Sequence, residues 1–333
     1  MERKAKGLEN DNLPTLRRGD QSNAVTLLQQ QLATAGFALN LTSHGHFDIS
    51  TAVAVADFQA SRGLSVDGIC GPHTWTALQE AGWTLGDRNL MNTKPMLRGD
   101  DVAELQLRLG SLGFDAGRVD GIFGPNTASA LQEFQLNSGL TANAICTKNT
   151  VISLKRISAR VSPTTVAVVR ERVKLQRTPH KLTNKHIMVV FSKTLAAVAG
   201  ELCSSLRRAE AVVNEMCDLS ELESADQANI LKVDVCLDLR IADTKECRIA
   251  YFATEGFVSP GGQRLADILE QRLSATLGFE GTGVQGMRLP ILRHTRMTAV
   301  QCLIGPFGLI QARLSPVARA IEGSLALWTT KPT

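Results

Sequence analysis

Residues 119–140, VDGIFGPNTASALQEFQLNSGL, form a pattern in which a tight loop leads into a short amphipathic helix. Gly121 and Gly124 supply the backbone freedom that the loop needs, and Asp120 can accept hydrogen bonds from nearby backbone amides. Pro125 suits the first turn of a helix because its φ is fixed and it has no N–H to donate. The apolar residues that follow recur at helical spacing and predict one buried helix face, made of Ala130, Leu131 and Phe134.

This loop-and-helix unit belongs to a longer pattern that occurs twice in the chain. LRRG at 16–19 precedes the first copy, and LRGD at 97–100 precedes the second. Matching landmarks keep a nearly constant spacing of about 76 residues: 36–37 with 113–114, 58–59 with 134–135, and 66–78 with 142–154. Apolar residues recur at i, i+3 and i+4 in both copies, so each copy is predicted to be a small bundle of three short helices.

The ordered pattern of LRRG, VxxLQxxL, GF, DGxxGPxT and ALxxFQxxxGL resembles the peptidoglycan-binding domain of many bacterial cell-wall hydrolases. The resemblance covers residues 14–82 and 95–157, with a short polar linker at 82–94. It implies two small all-α three-helix domains that are not catalytic and whose partner is peptidoglycan or its precursors. The loops supply the candidate binding residues, which are Asp67, Gly68, Gly71, Asp120, Gly121, Gly124 and Asn126. The alternative interpretation is that these residues serve only as turns and helix caps.

From residue 184 the chain changes character, because short apolar runs alternate with helical patterns. The apolar runs predict strands at 186–191, 232–239, 248–252 and 299–304. The helical patterns predict helices at 195–213, 262–277 and 316–328. Strands that alternate with helices indicate a three-layer α/β domain with a largely parallel sheet.

This third segment resembles the zinc-dependent N-acetylmuramoyl-L-alanine amidases over residues 184–330. The stretch RIAYFATEGFVSPGGQRLADILEQRL at 248–273 is similar to a strand and helix of that family. The stretch ILRHTRMTAVQCLIGPF at 291–307 is similar to its LRxTxMPAVLVELGF segment. The resemblance implies an amidase-like α/β fold and a zinc ion held by His, Glu and His, with a second Glu as the acid and base.

The residues that this chemistry needs are missing from the matching positions. No histidine follows the strand at 186–191, and the second ligand position falls near Ser192. The third ligand position falls on Asp238, and the position of the catalytic Glu falls on Leu303. We therefore expect a domain that keeps the fold but has no zinc and no catalytic residues. A rebuilt metal site is the alternative, and its candidate ligands are Asp234, Asp238, His186 and His294.

Positive charge is concentrated in one segment of the chain. Residues 155–185 contain nine Lys or Arg and one acid, so this segment carries +8 while the whole chain carries +4. The sequence predicts a basic linker at 158–183, in which Val166, Val169 and Val173 can face one way on a helix. Such a helix either leans on a neighbouring domain or contacts an anionic partner. Nucleic acid is not an expected partner, because aromatic residues are only 5% of the chain and no base-reading module is present.

The seven cysteines include no CxxC pair, which favours reduced, buried thiols over a disulfide framework or a cysteine-rich zinc site. The first residues contain no apolar core of a secretory signal, and no transmembrane segment of about 18 apolar residues is present. These features predict a cytoplasmic protein, or a cell-wall protein if it is exported by another route.

The sequence leaves two functions open. The first is a non-enzymatic regulator of bacterial cell-wall metabolism that binds peptidoglycan or its precursors, with a protein of precursor synthesis as a further partner. Some actinobacterial proteins with this architecture lack signal peptides and act inside the cell as regulators of precursor synthesis. This chain resembles them in having neither a visible signal nor the active-site residues. The second is an active N-acetylmuramoyl-L-alanine amidase with unusual zinc ligands.

Overall fold

The structure, a computed structural model, describes residues 13–37, 39, 44–158, 165–177 and 181–330. The chain divides into two compact units, with the boundary between residues 162 and 163. The described part of the first unit is helical, and that of the second contains both helices and strands. None of the described helices is both long and apolar enough to cross a membrane.

The first unit contains two bundles of three helices, as the repeat predicts. The first bundle consists of α1 (Asn23–Thr34), α2 (Ile49–Ser61) and α3 (Pro72–Ala81). The second consists of α4 (Asp100–Ser111), α5 (Pro125–Asn137) and α6 (Lys148–Ile157). Each bundle has its own core, in which Phe58 and Trp75 are buried in the first and Phe123 and Phe134 in the second. The predicted all-α three-helix domains are therefore confirmed.

Short antiparallel bridges define which residues of the two repeats are equivalent. They join Leu16 with Cys70 and Gln21 with His46 in the first repeat, and Leu90 with Cys146 and Arg98 with Ile122 in the second. The LRRG and LRGD motifs therefore occupy different places, because the counterpart of Leu16 is Leu90. Leu97, which begins LRGD, accepts a hydrogen bond at its carbonyl oxygen from the Phe123 amide at 2.9 Å. Long-range backbone pairing, not the local motif, marks where each repeat begins.

The stretch 82–94, predicted as a linker, is part of the second repeat. Leu85 and Leu90 are buried in the core of that repeat. Arg88 forms an ion pair with Asp101, with 2.7 Å between Arg88 Nε and Asp101 Oδ2. The polar residues of this stretch predict a linker, but its two buried leucines complete the core of the second bundle.

The second unit contains a mixed seven-stranded sheet. Its strands are β1 (His186–Phe191), β2 (Val212–Cys217), β3 (Val235–Ile241), β4 (Glu246–Thr254), β5 (Phe257–Val258), β6 (Gly283–Met287) and β7 (Thr298–Gly305). Its helices are α7 (Val166–Arg177), α8 (Ala196–Arg208), α9 (Glu221–Leu231), α10 (Pro260–Leu277), α11 (Pro290–His294), α12 (Phe307–Ala312) and α13 (Leu314–Thr329). The strand order is β2-β1-β3-β7-β4-β5, and β6 pairs with β4. Strands β2, β1, β3 and β7 are parallel, whereas β4 is antiparallel to β7.

Helices cover both faces of this sheet, which confirms the predicted three-layer α/β architecture. Helices α8, α10 and α13 share one hydrophobic core with the strands, including Leu237, Leu239 and Ile304. Helices α9 and α11 pack against each other, and α11 also contacts β4 and β7. Asn229 Nδ2 on α9 donates to the carbonyl oxygen of His294 on α11 at 2.8 Å, which ties this second layer together.

The predicted helix at 195–213 is too long, because the chain turns and forms β2. The helix α8 ends at Arg208, and Glu210 has a φ of 61° in the turn that follows. Strand β2 lies at the edge of the sheet and none of its residues is fully buried. An edge strand with mixed polar and apolar residues lacks the apolar run by which the four predicted strands are recognised. The short strands β5 and β6 were not predicted either.

The segment predicted as a basic linker at 158–183 contains α7, which packs on α10. Glu171 Oε1 accepts hydrogen bonds from Ser259 Oγ at 2.5 Å and from the Gly261 amide at 3.1 Å, at the N-terminus of α10. This contact sets the inward face of α7, so Ala167 is buried while Val169 is 49% exposed. Val169, one of the three valines predicted to face one way, therefore lies on the exposed side of α7. Residues 159–164 and 178–180 lie outside the described part of the chain.

The cysteines give a direct test of this packing. All seven are free, and Cys217 at the end of the edge strand β2 is exposed while the other six are buried. Burial raises the pKa of the thiols of Cys146, Cys203 and Cys247 to about 12, which suppresses their reactive thiolate form. We expect one thiol of the native protein to react rapidly with a disulfide reagent and all seven to react in denaturant. Rapid reaction of two or more native thiols, measured by mass spectrometry, would contradict the packing.

Candidate functional site

A buried glutamine organises the loop of each helical unit. In the second repeat, Gln106 on α4 is 2% exposed, and its amide nitrogen donates to Asp120 Oδ1, Ile122 O and Thr127 Oγ1 at 2.9–3.1 Å. Its Oε1 accepts from the backbone amides of Asp120 at 3.1 Å and Gly121 at 2.9 Å. One side chain therefore makes hydrogen bonds to both donors and acceptors of the loop that precedes α5.

The same arrangement occurs in the first repeat around Gln59. Its amide nitrogen donates to Asp67 Oδ1 at 2.8 Å, Ile69 O at 2.9 Å and Thr74 Oγ1 at 3.0 Å, and its Oε1 accepts from Gly68 N at 2.9 Å. Degenerate versions are held by two further buried glutamines, Gln29 and Gln135. The loop-and-helix unit thus occurs four times, with a glutamine as its constant internal support.

The predicted binding residues of the repeats therefore lie in two separate loops. Asp67 and Gly68 contact Gln59, and Asp120 and Gly121 contact Gln106. The other three lie at helix N-termini: Gly71 caps α3, Gly124 caps α5, and Asn126 is exposed in the first turn of α5. A Cβ added to Gly71 or Gly124 would meet no atom within 4 Å, so both caps are open to solvent.

In the α/β domain, a polar cluster lies on the sheet face that carries α9. Its centre is Asp238 of β3, which is fully buried. Asp238 Oδ2 accepts from Arg240 Nε at 2.9 Å and from Gln301 Nε2 at 2.8 Å. Gln301 also donates to Glu221 Oε1 at 3.1 Å, at the start of α9. Two carboxylates, one guanidinium and one amide are thus joined in a single network.

Strand register explains how this cluster assembles. Val190 of β1 and Gln301 of β7 are both aligned with Asp238, so the three side chains form one row across the sheet. Leu303 is aligned with Arg240, one row further along. The resemblance places a zinc ligand at Asp238 and the catalytic Glu at Leu303. These two residues therefore lie on the same sheet face but in different rows.

The residues of the polar cluster do not fit a zinc ion. Zinc needs about three N, S or O ligands with free lone pairs and an open position for water. The Asp238 carboxylate instead faces a guanidinium 2.8 Å away, which would repel a cation. Within the described residues, no group of three or more His, Cys, Asp or Glu side chains is arranged to hold a metal ion. Of the other candidate ligands, His186 and Asp234 lie at the opposite end of the strands, where His186 N bonds Asp234 Oδ2 at 3.1 Å.

The burial of Asp238 has a consequence for stability. Burial raises the pKa of this carboxyl above its ordinary value of 3.8, although Arg240 opposes the shift. Between pH 3.8 and the raised pKa, the carboxyl of Asp238 is ionised in the unfolded chain but still protonated in the folded chain. The free energy of unfolding therefore falls as the pH rises through this range. We expect Asp238→Asn to remove that fall. The measurement is the urea midpoint of the α/β domain between pH 4 and 7, and equal slopes for parent and variant would contradict it.

The sequence contained a signal for the glutamines but not for the polar cluster. Gln29 and Gln106 recur at one position of the two repeats, and Gln59 and Gln135 recur at a second position. All four are buried, and their recurrence was the available signal for a buried amide. Glu221, Arg240 and Gln301 lie on three elements far apart in the chain. Only the strand register brings them together.

The repeats and the whole chain are similar to known proteins. Residues 21–78 and 98–154 match the family described as "Putative peptidoglycan binding domain". Over 334 residues the chain is 33% identical to the N-acetylmuramoyl-L-alanine amidase CwlM of Mycobacterium tuberculosis, covering 87% of this chain and 81% of that protein. It is also 32% identical over 163 residues to the N-acetylmuramoyl-L-alanine amidase CwlL of Bacillus licheniformis, covering 43% of this chain and 45% of that protein.

Solved structures of amidases align with less than half of the chain. The N-acetylmuramyl-L-alanine amidase Ami1 from Mycobacterium smegmatis aligns with 45% of this chain and 98% of its own, at 10% identity and a TM-score of 0.38. The N-acetylmuramoyl-L-alanine amidase from Clostridium difficile 630 aligns with 43% of this chain and 96% of its own, at 13% identity and a TM-score of 0.35.

Proposed function

The chain belongs to the family of the N-acetylmuramoyl-L-alanine amidase CwlM, and from this premise we propose that it binds peptidoglycan or a precursor without hydrolysing it. Its two helical repeats are peptidoglycan-binding domains, and its α/β domain is amidase-like. The repeats would supply the affinity for the glycopeptide, and the α/β domain would act as a regulatory or docking module in cell-wall metabolism.

The observation that carries the non-catalytic part is the polar cluster around Asp238. Amide hydrolysis by zinc needs a polarising cation and a carboxylate that moves protons. In this chain the Arg240 guanidinium forms an ion pair with Asp238. The position of the catalytic Glu holds the aliphatic side chain of Leu303, which is aligned with Arg240 in the next row. Arg240 contributes a fixed positive charge where the family reaction would need a site for a metal ion.

Metal content and hydrolysis test this proposal together. The full chain, purified after expression in zinc-supplemented medium, is expected to hold much less than one zinc ion per chain. It is also expected to release no peptide from purified peptidoglycan, with a zinc amidase that has its complete ligand set as the positive control. Stoichiometric zinc together with chelator-sensitive release of peptide would overturn the proposal.

Binding is tested separately from hydrolysis. The full chain is mixed with purified insoluble peptidoglycan, and the bound fraction is measured after sedimentation over a salt series. Binding that persists at high salt is expected, because recognition by loops and helix caps depends less on ionic strength than a diffuse basic surface does. Binding that vanishes at modest salt would indicate that only the basic segment attracts the wall.

The alternative function is an active N-acetylmuramoyl-L-alanine amidase. The relatives named above as amidases favour it, and so does the presence of two carboxylates, Asp238 and Glu221, in one buried network. A zinc ion bound by this pair would require Arg240 to move away. Under this alternative Asp238→Ala would abolish peptide release, whereas the non-catalytic proposal expects no release from parent or variant.

We place the protein in the cytoplasm, where a protein of precursor synthesis is a candidate partner, or in the cell wall if it is exported. Support comes from its seven free thiols, because free cysteines are typical of a reducing compartment. Fractionation of cells with an antibody to the chain tests the location. Recovery in the wall fraction alone would exclude the cytoplasmic proposal.

A further inference from the structure

The three tryptophans differ in how they are used. Trp75 and Trp328 are buried, and their indole nitrogens donate to the carbonyl oxygens of Pro14 at 2.9 Å and Gly261 at 3.0 Å. Trp83 follows the end of α3 and is only half-buried. Among the described residues it packs against neither repeat core, and none accepts a hydrogen bond from its indole nitrogen. The indole nitrogen and part of the ring of Trp83 are therefore available to a ligand.

The ring of Trp83 is nevertheless held in place. The Arg88 guanidinium carbon lies 4.3 Å from the ring centroid and covers one face. Arg88 is itself fixed by the buried carboxylate of Asp101 and by the carbonyl oxygen of Arg98, which is 2.6 Å from Arg88 Nη2. A side chain fixed in this way loses little conformational entropy when a ligand contacts it.

Polar and charged groups lie at the turn that follows Trp83. Thr84 Oγ1 and Thr84 N both donate to Asp87 Oδ2, which fixes the turn next to Trp83. Lys155 Nζ donates to the carbonyl oxygen of Leu85 at 3.4 Å. Besides the Thr84 hydrogen bonds, the charges of Lys148 and Lys155 help to lower the pKa of Asp87, so both cations are close to the turn. An aromatic ring held in place next to a turn that has two cations nearby suits an amphipathic, acidic ligand.

On the proposed function of the repeats, we propose that Trp83 is a carbohydrate-contacting residue of the peptidoglycan site. The apolar C–H face of a sugar ring would stack on the indole, and the indole N–H would donate to a hydroxyl or acetamido oxygen. Lys148 and Lys155 would face carboxylates of the same glycopeptide. This proposal adds a residue to the proposed binding site that lies outside the loops where the sequence placed the candidate residues.

Two measurements on the full chain test this proposal. The first is the dissociation constant for purified insoluble peptidoglycan of the parent, Trp83→Ala and Trp83→Phe. We expect Trp83→Ala to bind about tenfold more weakly, since buried aromatic contacts dominate many interfaces, and Trp83→Phe to show a smaller loss because it keeps a ring without the N–H. The second is tryptophan fluorescence during titration with a soluble muramidase digest of peptidoglycan. We expect emission to change in the parent and to stay constant in Trp83→Phe.

The outcomes separate this proposal from the function on which it rests. Leu136→Ala, a change at an exposed residue of α5 in the same repeat, is the matched control and should bind like the parent. If the parent does not bind peptidoglycan, the proposed function fails. If the parent binds and both Trp83 variants bind equally well, only the role of Trp83 is overturned. Circular dichroism checks folding, and if Trp83→Ala is unfolded, an unchanged emission of the parent on saturation overturns the proposal.

Discussion

Replacement of Arg88 by alanine is expected to destabilise the second repeat by about 3 kcal/mol or more, because it leaves a buried carboxylate without its counter-ion. Asp101 is 1% exposed and receives two hydrogen bonds from Arg88, at 2.7 and 3.1 Å. The backbone amide of Val102 also donates to it at 2.9 Å but brings no charge. The measurement is urea unfolding of the full chain, with hydrogen exchange of α4–α6 peptides to locate the loss.

A second variant tests whether the loss of stability depends on the burial of the carboxylate or only on the loss of an ion pair. Arg62 and Asp100 also form a pair at 2.6 Å, but their side chains are 21% and 32% exposed. Arg62→Ala should therefore cost only about 0.2–1 kcal/mol. Combining Arg88→Ala with Asp101→Ala should recover part of the loss, because the buried charge is removed with its partner. Equal effects of Arg88→Ala and Arg62→Ala would show that Asp101 finds water or another donor.

Replacement of Gln106 by leucine is expected to cost about 3 kcal/mol, since each buried polar group left without a partner costs about 1–3 kcal/mol. Leucine has a similar volume but cannot serve the Gly121 amide, the Ile122 carbonyl or the Thr127 hydroxyl, which all contact Gln106. The loop that opens α5 should become mobile while the helices persist. Hydrogen exchange of peptides that contain Gly121 measures this directly.

An exposed glutamine of the same repeat provides the control for this prediction. Gln132 on α5 makes one exposed hydrogen bond, 3.2 Å long, to the carbonyl oxygen of Ala142. Gln132→Leu should change the free energy of unfolding by less than about 0.5 kcal/mol. If Gln106→Leu were equally mild, the loop would be held by its turn residues alone. The glutamine network would then be an accessory feature of the fold.

Some residues of the candidate sites could be predicted from the sequence, and others could not. The loops around Gly121 and Gly68 were found because glycine, proline and the apolar spacing are local signals. Arg240 and Gln301 were missed as partners of Asp238, because they are ordinary residues in apolar strands until the register is known. Trp83 was assigned to a linker, since its contact with Arg88 depends on the turn between them.

The sequence by itself determined the duplicated helical bundles and the alternation of strands and helices, because these follow from periodicity within about 15 residues. It also determined that the amidase-like domain lacks a histidine after its first strand. Only the tertiary structure decided that residues 82–94 complete the second bundle, that α7 packs through Glu171 on α10, and that Arg240 forms an ion pair with Asp238. These features depend on pairings between distant segments, in which burial and charge compensation outweigh local preference.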